Sequence, residues 1–209
     1  MKAVARLLSF MFHPLLMPTY LFLVLSRTFP AALEPLPRSS HPLFLSLIFI
    51  VTFMLPVLLL GIMKVFGSLR SFHMETRGER IVPFTLITLI YFFITYLFYY
   101  RSGIGTEENF LRIMIVIDLL AIAATVFTVF FKISVHSLTA WGVVGIMILL
   151  NKMSELNTLF YPALAGVMLT GFIMSSRIYL QAHNLKEVMW GGIVGLGTAI
   201  AGMTVLFAT

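Results

Sequence analysis

Long apolar runs separated by short polar breaks set the rhythm of this chain. The runs fall at 7–28, 42–67, 83–100, 111–131, 137–151, 158–175 and 188–208. Most reach the length that crosses about 30 Å of hydrocarbon at about 1.5 Å per residue. Within them apolar and polar positions do not alternate, so the pattern of an outer-membrane β-barrel is absent. A helix satisfies its own backbone in lipid, and helices are what these runs predict. The expected fold is all-α, a polytopic membrane bundle of six or seven transmembrane helices. Two runs decide the count. Segment 137–151 is short unless it extends to near Glu155, and segment 7–28 contains His13-Pro14 and Pro18. The second reads as a retained, kinked membrane helix, because its apolar stretch exceeds the roughly 7–15 residues of a signal core.

The breaks carry the polar residues. Pro30, Pro35 and Pro37 mark the first as an extended or turning loop. Residues 68–82 are the most charged, and 101–110 hold Gly103, Gly105 and two glutamates. No repeat or low-complexity tract divides the chain, so residues 1–209 read as a single integral membrane domain. Three breaks gather Arg, Ser, His or Glu: 73–80, 132–136 and 176–187. Two runs separate the first from the second, and two more separate the second from the third. All three therefore belong to one side of the membrane. Gly191, Gly195 and Ala199 in the last run form a small-residue face suited to close helix packing.

Composition narrows the class. The chain is 60% hydrophobic and 11% charged, against about 25% charged in soluble domains, and its mean hydropathy is +1.02. Its 209 residues leave little for an extramembrane domain. The formal charge of +6 sits in the breaks, where anionic headgroups would meet it. There is no cysteine, hence no disulfide framework and no thiolate metal site. There is also no phosphate-binding Gly-rich loop and no nucleic-acid motif. The bilayer is the partner to expect.

The third cluster runs Ser176-Arg177 to His183 and Glu187. An imidazole can attack phosphorus when a carboxylate holds its tautomer, and residues four apart on a helix meet. Arg177 offers the planar fork that suits phosphate. Asn184 to Glu187 equally spells an N-cap with Glu at N3, opening the last helix. In the second cluster, Ser134 and His136 are able to bind a phosphate oxygen and protonate a leaving alkoxide, with Lys132 beside them. In the first, Arg77 and Arg80 share a helical face and are able to clamp a dianion; alternating Glu and Arg also makes a self-neutralising loop.

Together the three clusters resemble the type 2 phosphatidic acid phosphatase superfamily. That family's pattern is Lys-x6-Arg-Pro, then Pro-Ser-Gly-His, then Ser-Arg-x5-His-x3-Asp. The third element is present at full spacing as Ser176, Arg177, His183 and Glu187, with Glu for Asp. The second is Ile133-Ser134-Val135-His136, which keeps Ser and His and loses Pro and Gly. In the first, Arg80 lies seven after His73 and Arg77 seven after Arg70; neither precedes proline directly, and Pro83 follows three after Arg80. The first-motif lysine has no counterpart to assign.

The resemblance implies a core from about residue 70 to 209, preceded by one or two further membrane helices. It implies a lipid phosphate or diphosphate substrate and a phosphohistidine mechanism. His183 is the nucleophile, Glu187 orients it, and His136 protonates the departing oxygen. Arg77, Arg80, Ser134, Arg177 and, less centrally, Lys132 neutralise phosphoryl oxygens. Such chemistry uses no metal or other cofactor, because fixed cations do the electrostatic work. The implied location is a bacterial inner membrane with the site facing the periplasm; the positive-inside rule is silent, with five basic residues on each side outside the site.

Other residues read more plainly. Asp118, mid-run, is expected to face the bundle interior, paired or protonated, although a transporter would use such a residue for charge coupling. His13 caps or kinks the first helix, and His41 is interfacial. A zinc site from His73, His136 and His183 has no ligand-like spacing. A non-catalytic phospholipid binder is the other alternative to a phosphatase.

Overall fold

The computed structural model describes residues 2–69, 77–101, 105 and 108–207, the side chain of Arg77 excepted. Among these the chain is helical and contains no strand. Five helical stretches are long and apolar enough to cross a membrane, and a bent pair at the amino terminus makes six. The outer face is apolar: Leu43, Phe92, Met168 and Val205 are all more than half exposed. Water would penalise that surface and lipid would not. The molecule is an integral membrane protein.

The bend joins α1 (Lys2–Met11) to α2 (Met17–Thr28) through a short 3-10 turn, Pro14–Leu16, at an angle of 40°. A residue before proline avoids the helical region, and His13 accordingly has ψ 140°. Its Nδ1 then accepts the Leu15 amide at 3.3 Å, an N-cap. The expected kink is there, and His13 makes it.

Next come α3 (His41–Phe49), a π-helical turn over Ile50–Met54, and α4 (Leu55–Val65). Pro56 has no amide hydrogen, so the carbonyl four residues back, that of Thr52, loses its helical partner. Tyr91 donates its hydroxyl to that carbonyl at 3.0 Å from the neighbouring helix. His41, expected at the interface, is buried at the start of α3.

α5 (Arg77–Arg101) and α6 (Asn109–Phe130) run antiparallel, joined by Thr88 to Thr125 at 2.8 Å. Phe22, Phe44, Phe98 and Phe110 interlock at one end of the bundle, three ring pairs having centroids 5.1 Å apart. Asp118 faces inward from α6, buried, and lines a small void of about 10 Å³ with Thr52 and Tyr91.

α7 (Val135–Met153) and α9 (Leu185–Phe207) lie parallel at closest contact. A methyl group on Gly191 would overlap the Ser134 carbonyl, and one on Gly195 the Leu138 carbonyl. Ala199 meets Gly145 one level further on. The small-residue face is thus the seam between these helices. Two parallel neighbours need a return leg, and α8 (Phe160–Tyr179) supplies it: Met174 lies against Trp141, and Gly166 against Met147.

Candidate active site

α8 ends with the Arg177 carbonyl accepting the amide of Ala182 at 3.2 Å, while Gln181 takes a left-handed φ of 54° to turn the chain. The next helix starts at once. Asn184 accepts the Glu187 amide on its Oδ1 at 2.8 Å, capping α9, and donates its Nδ2 to Glu187 Oε1 at 3.2 Å. The other carboxylate oxygen, Oε2, accepts from His183 Nδ1 at 2.8 Å. The N-cap expected at Asn184 is formed through the Glu187 backbone, while the Glu187 side chain is turned to the imidazole rather than to backbone amides. A carboxylate only accepts, so Nδ1 carries the proton and Nε2 keeps its lone pair. Lys132 Nζ stands 3.8 Å from the same oxygen, half-exposed, and does not line the cavity described below. Burial pushes the His183 pKa below its ordinary value; the Glu187 hydrogen bond opposes this and the Arg177 charge adds to it.

The second cluster is tied to the third through main chain. The Ser134 amide donates to the Glu187 carbonyl at 3.0 Å. Ser134 is fully buried, and its Oγ accepts the Ser137 amide at 3.4 Å and the Ser137 hydroxyl at 3.1 Å. The hydroxyl expected to hold a phosphate oxygen is an N-cap, turned into the start of α7 and away from the cavity lining. His136, two residues on, does line the cavity. Its Nε2 lies 3.1 Å from the Ser9 carbonyl. A carbonyl only accepts, so Nε2 bears hydrogen and Nδ1 is the ring's acceptor in the neutral form.

From the first cluster, Arg80 lines the cavity, whereas the Arg77 side chain, like His73, lies outside the described residues. The amino-terminal helix adds what sequence reasoning missed. Arg6, Ser9 and His13 all face the same cavity, and the His13 ring stands edge-on to His136 with centroids 5.6 Å apart. Their spacing of three and four was the available signal, since a continuous helix would align all three; Arg6 and Ser9 lie on α1 and His13 just beyond its end. Ser9 Oγ also contacts Ser176 Oγ at 3.3 Å, which seats α1 on α8.

The cavity holds about 910 Å³. One end is lined by Arg6, His13, Arg80, His136, Arg177 and His183, and among the described residues no carboxylate lines it. The rest is mainly apolar, with Phe84, Ile87, Ile117, Leu120 and Val143 on its walls beside Thr88, Thr125 and Thr139. Arg177 Nε is buried and has no hydrogen-bond partner among the described residues, a donor that an anion would satisfy. Among the described residues no group of three or more His, Cys, Asp or Glu could hold a metal ion. No protein-family model, curated protein or solved structure matches this chain.

Proposed function

We propose that this chain is an integral membrane phosphatase that removes a terminal phosphate from a lipid phosphate or diphosphate, as the resemblance to the type 2 phosphatidic acid phosphatases implies. One observation carries the reading. His183 has Nδ1 held by Glu187 at 2.8 Å, which leaves Nε2 as nucleophile on a cavity that is cationic at one end and mainly apolar along the rest. A phosphate suits the first part and a hydrocarbon chain the second.

In this mechanism His183 Nε2 attacks phosphorus, the bond to the lipid oxygen breaks, and a phosphohistidine forms. Glu187 stabilises the imidazolium character that develops on His183. His136 works through Nδ1, the nitrogen that Ser9 leaves uncommitted. The bound phosphate favours its protonated form, which delivers the proton to the departing alkoxide or phosphate. Neutral His136 then takes a proton from water, whose oxygen attacks phosphorus and releases inorganic phosphate. Arg177 and Arg80 neutralise the equatorial oxygens, and Arg77 is assigned the same task from its position at the start of α5. The lipid enters sideways between helices, in a bacterial inner membrane with the cationic end toward the periplasm.

The test is phosphate release by detergent-purified protein from a panel of lipid phosphates and diphosphates, with chelator present, beside His183→Ala. Release that disappears in the variant supports the reading. Equal release by both proteins would mean that the nucleophile is elsewhere. No release by folded protein, with lipid phosphate still bound, would make the chain a phospholipid binder.

A further inference from the structure

The phosphate-binding groups assigned so far all follow residue 70, and the segment before it brings its own. We propose that His13, at the break between α1 and α2, is a phosphate-binding residue that donates Nε2–H to a phosphoryl oxygen, with Arg6 of α1, on the wall of the same cavity, adding charge. The inference rests on the phosphatase reading above and extends its site to a part of the chain the three clusters do not include.

His13 Nδ1 accepts the Leu15 amide, so the ring's lone pair is committed to backbone. In a neutral imidazole the hydrogen must then be on Nε2. His13 is thereby a fixed donor that needs no charge to act. Its ring lies against His136 and on the wall of the cavity shared with Arg177 and His183. Arg177, His136 and His183 line that same cavity, so an anion held there meets Arg177 and the three rings from its walls. The cavity lining offers both neutral donors and cations there. Capping alone would be served by any short acceptor such as Asn or Ser; a histidine adds a donor about two bonds further out.

Two substitutions separate the cap from the donor. In His13→Asn the side-chain amide stands where Nδ1 was, which keeps the cap and removes the Nε2 donor. His13→Gln reaches the Nε2 position and gives up the cap. The probe is inorganic phosphate, measured by equilibrium binding to the detergent-purified full chain and as an inhibitor of lipid phosphate release. His13→Asn is expected to melt like wild type and to bind phosphate roughly tenfold more weakly or worse, as for loss of a hydrogen bond to a charged group. His13→Gln is expected to melt lower and bind phosphate more tightly than His13→Asn does. Wild-type phosphate affinity in His13→Asn would overturn the assignment while leaving the phosphatase reading intact. If wild type neither binds phosphate nor releases it, the phosphatase reading itself falls.

Discussion

At the scale of single residues, the His183–Glu187 pair decides most. Removing the nucleophile should be severe: His183→Ala is expected to lower phosphate release at least about a thousandfold, read as initial rates in detergent. The pH dependence follows from burial. The attacking form is the neutral ring, and His183 is held below the ordinary imidazole value of about 6.5. The acid limb of kcat/KM should therefore lie below pH 6.5. Glu187 is the group that raises the His183 pKa, so Glu187→Gln should move that limb lower still while reducing the rate about 10²–10⁴-fold. A limb that moves up instead would mean that another group titrates. Linkage has a definite sign: between the depressed folded pKa and about 6.5 the unfolded chain binds more protons, so this site's contribution to stability is lost as pH falls through that window. The meeting of His183 and Glu187 was legible in sequence because residues four apart meet across one helical turn; Ser176 and Arg177 stand on the preceding helix, beyond the turn at Gln181. The direction of the Ser134 hydroxyl was not legible, since Ser-x-His serves a cap and a ligand equally well.

At the scale of elements, the parallel seam of α7 and α9 sets the distance between the two histidine-bearing breaks. Gly191 and Gly195 meet backbone carbonyls, which cannot swing aside as a side chain would. Gly195→Val should destabilise the protein by about 1–3 kcal/mol or more by thermal denaturation in detergent. Gly197 has open space around its Cβ position, so Gly197→Ala should be neutral or raise stability by up to about 1 kcal/mol. Equal losses in both would refute the seam. Tyr91→Phe leaves the Thr52 carbonyl unpaired beside Pro56 and should cost about 1–3 kcal/mol. The small-residue face was readable from Gly191, Gly195 and Ala199, yet its partner was not, because a periodic stripe says only that something approaches closely. The break at His13-Pro14 was readable because proline acts locally. The docking of α1 on α8 was not, and with it went the cavity that Arg6, Ser9 and His13 face: contacts between residues 9 and 176 leave no local pattern.

At the scale of the whole molecule, the bundle is closed at one end by interlocked phenylalanines and hollow at the other. Counting runs between breaks was enough to put the clusters on one side, since each helix reverses the chain; the depth of the hollow needed three dimensions. On α5 the lining runs from Arg80 to Tyr91, eleven residues or about 16 Å. Among phosphate monoesters of increasing chain length, kcat/KM should climb by up to about fourfold per methylene, about 0.8 kcal/mol each, and level off once the hollow is full. A flat series would argue against a chain bound inside. Asp118 lies off this cavity, so Asp118→Asn should leave phosphate release unchanged; vesicle flux that depended on it would favour transport instead. Between the two ends, the bond from the Ser134 amide to the Glu187 carbonyl writes the interval separating His136 and His183 into main chain, an alphabet with a single dissenting letter. Nineteen residue types at position 134 would spell the same interval, and proline alone would erase it. The deuterium clock should register this, with the Ser134 amide exchanging as slowly as those midway along α7.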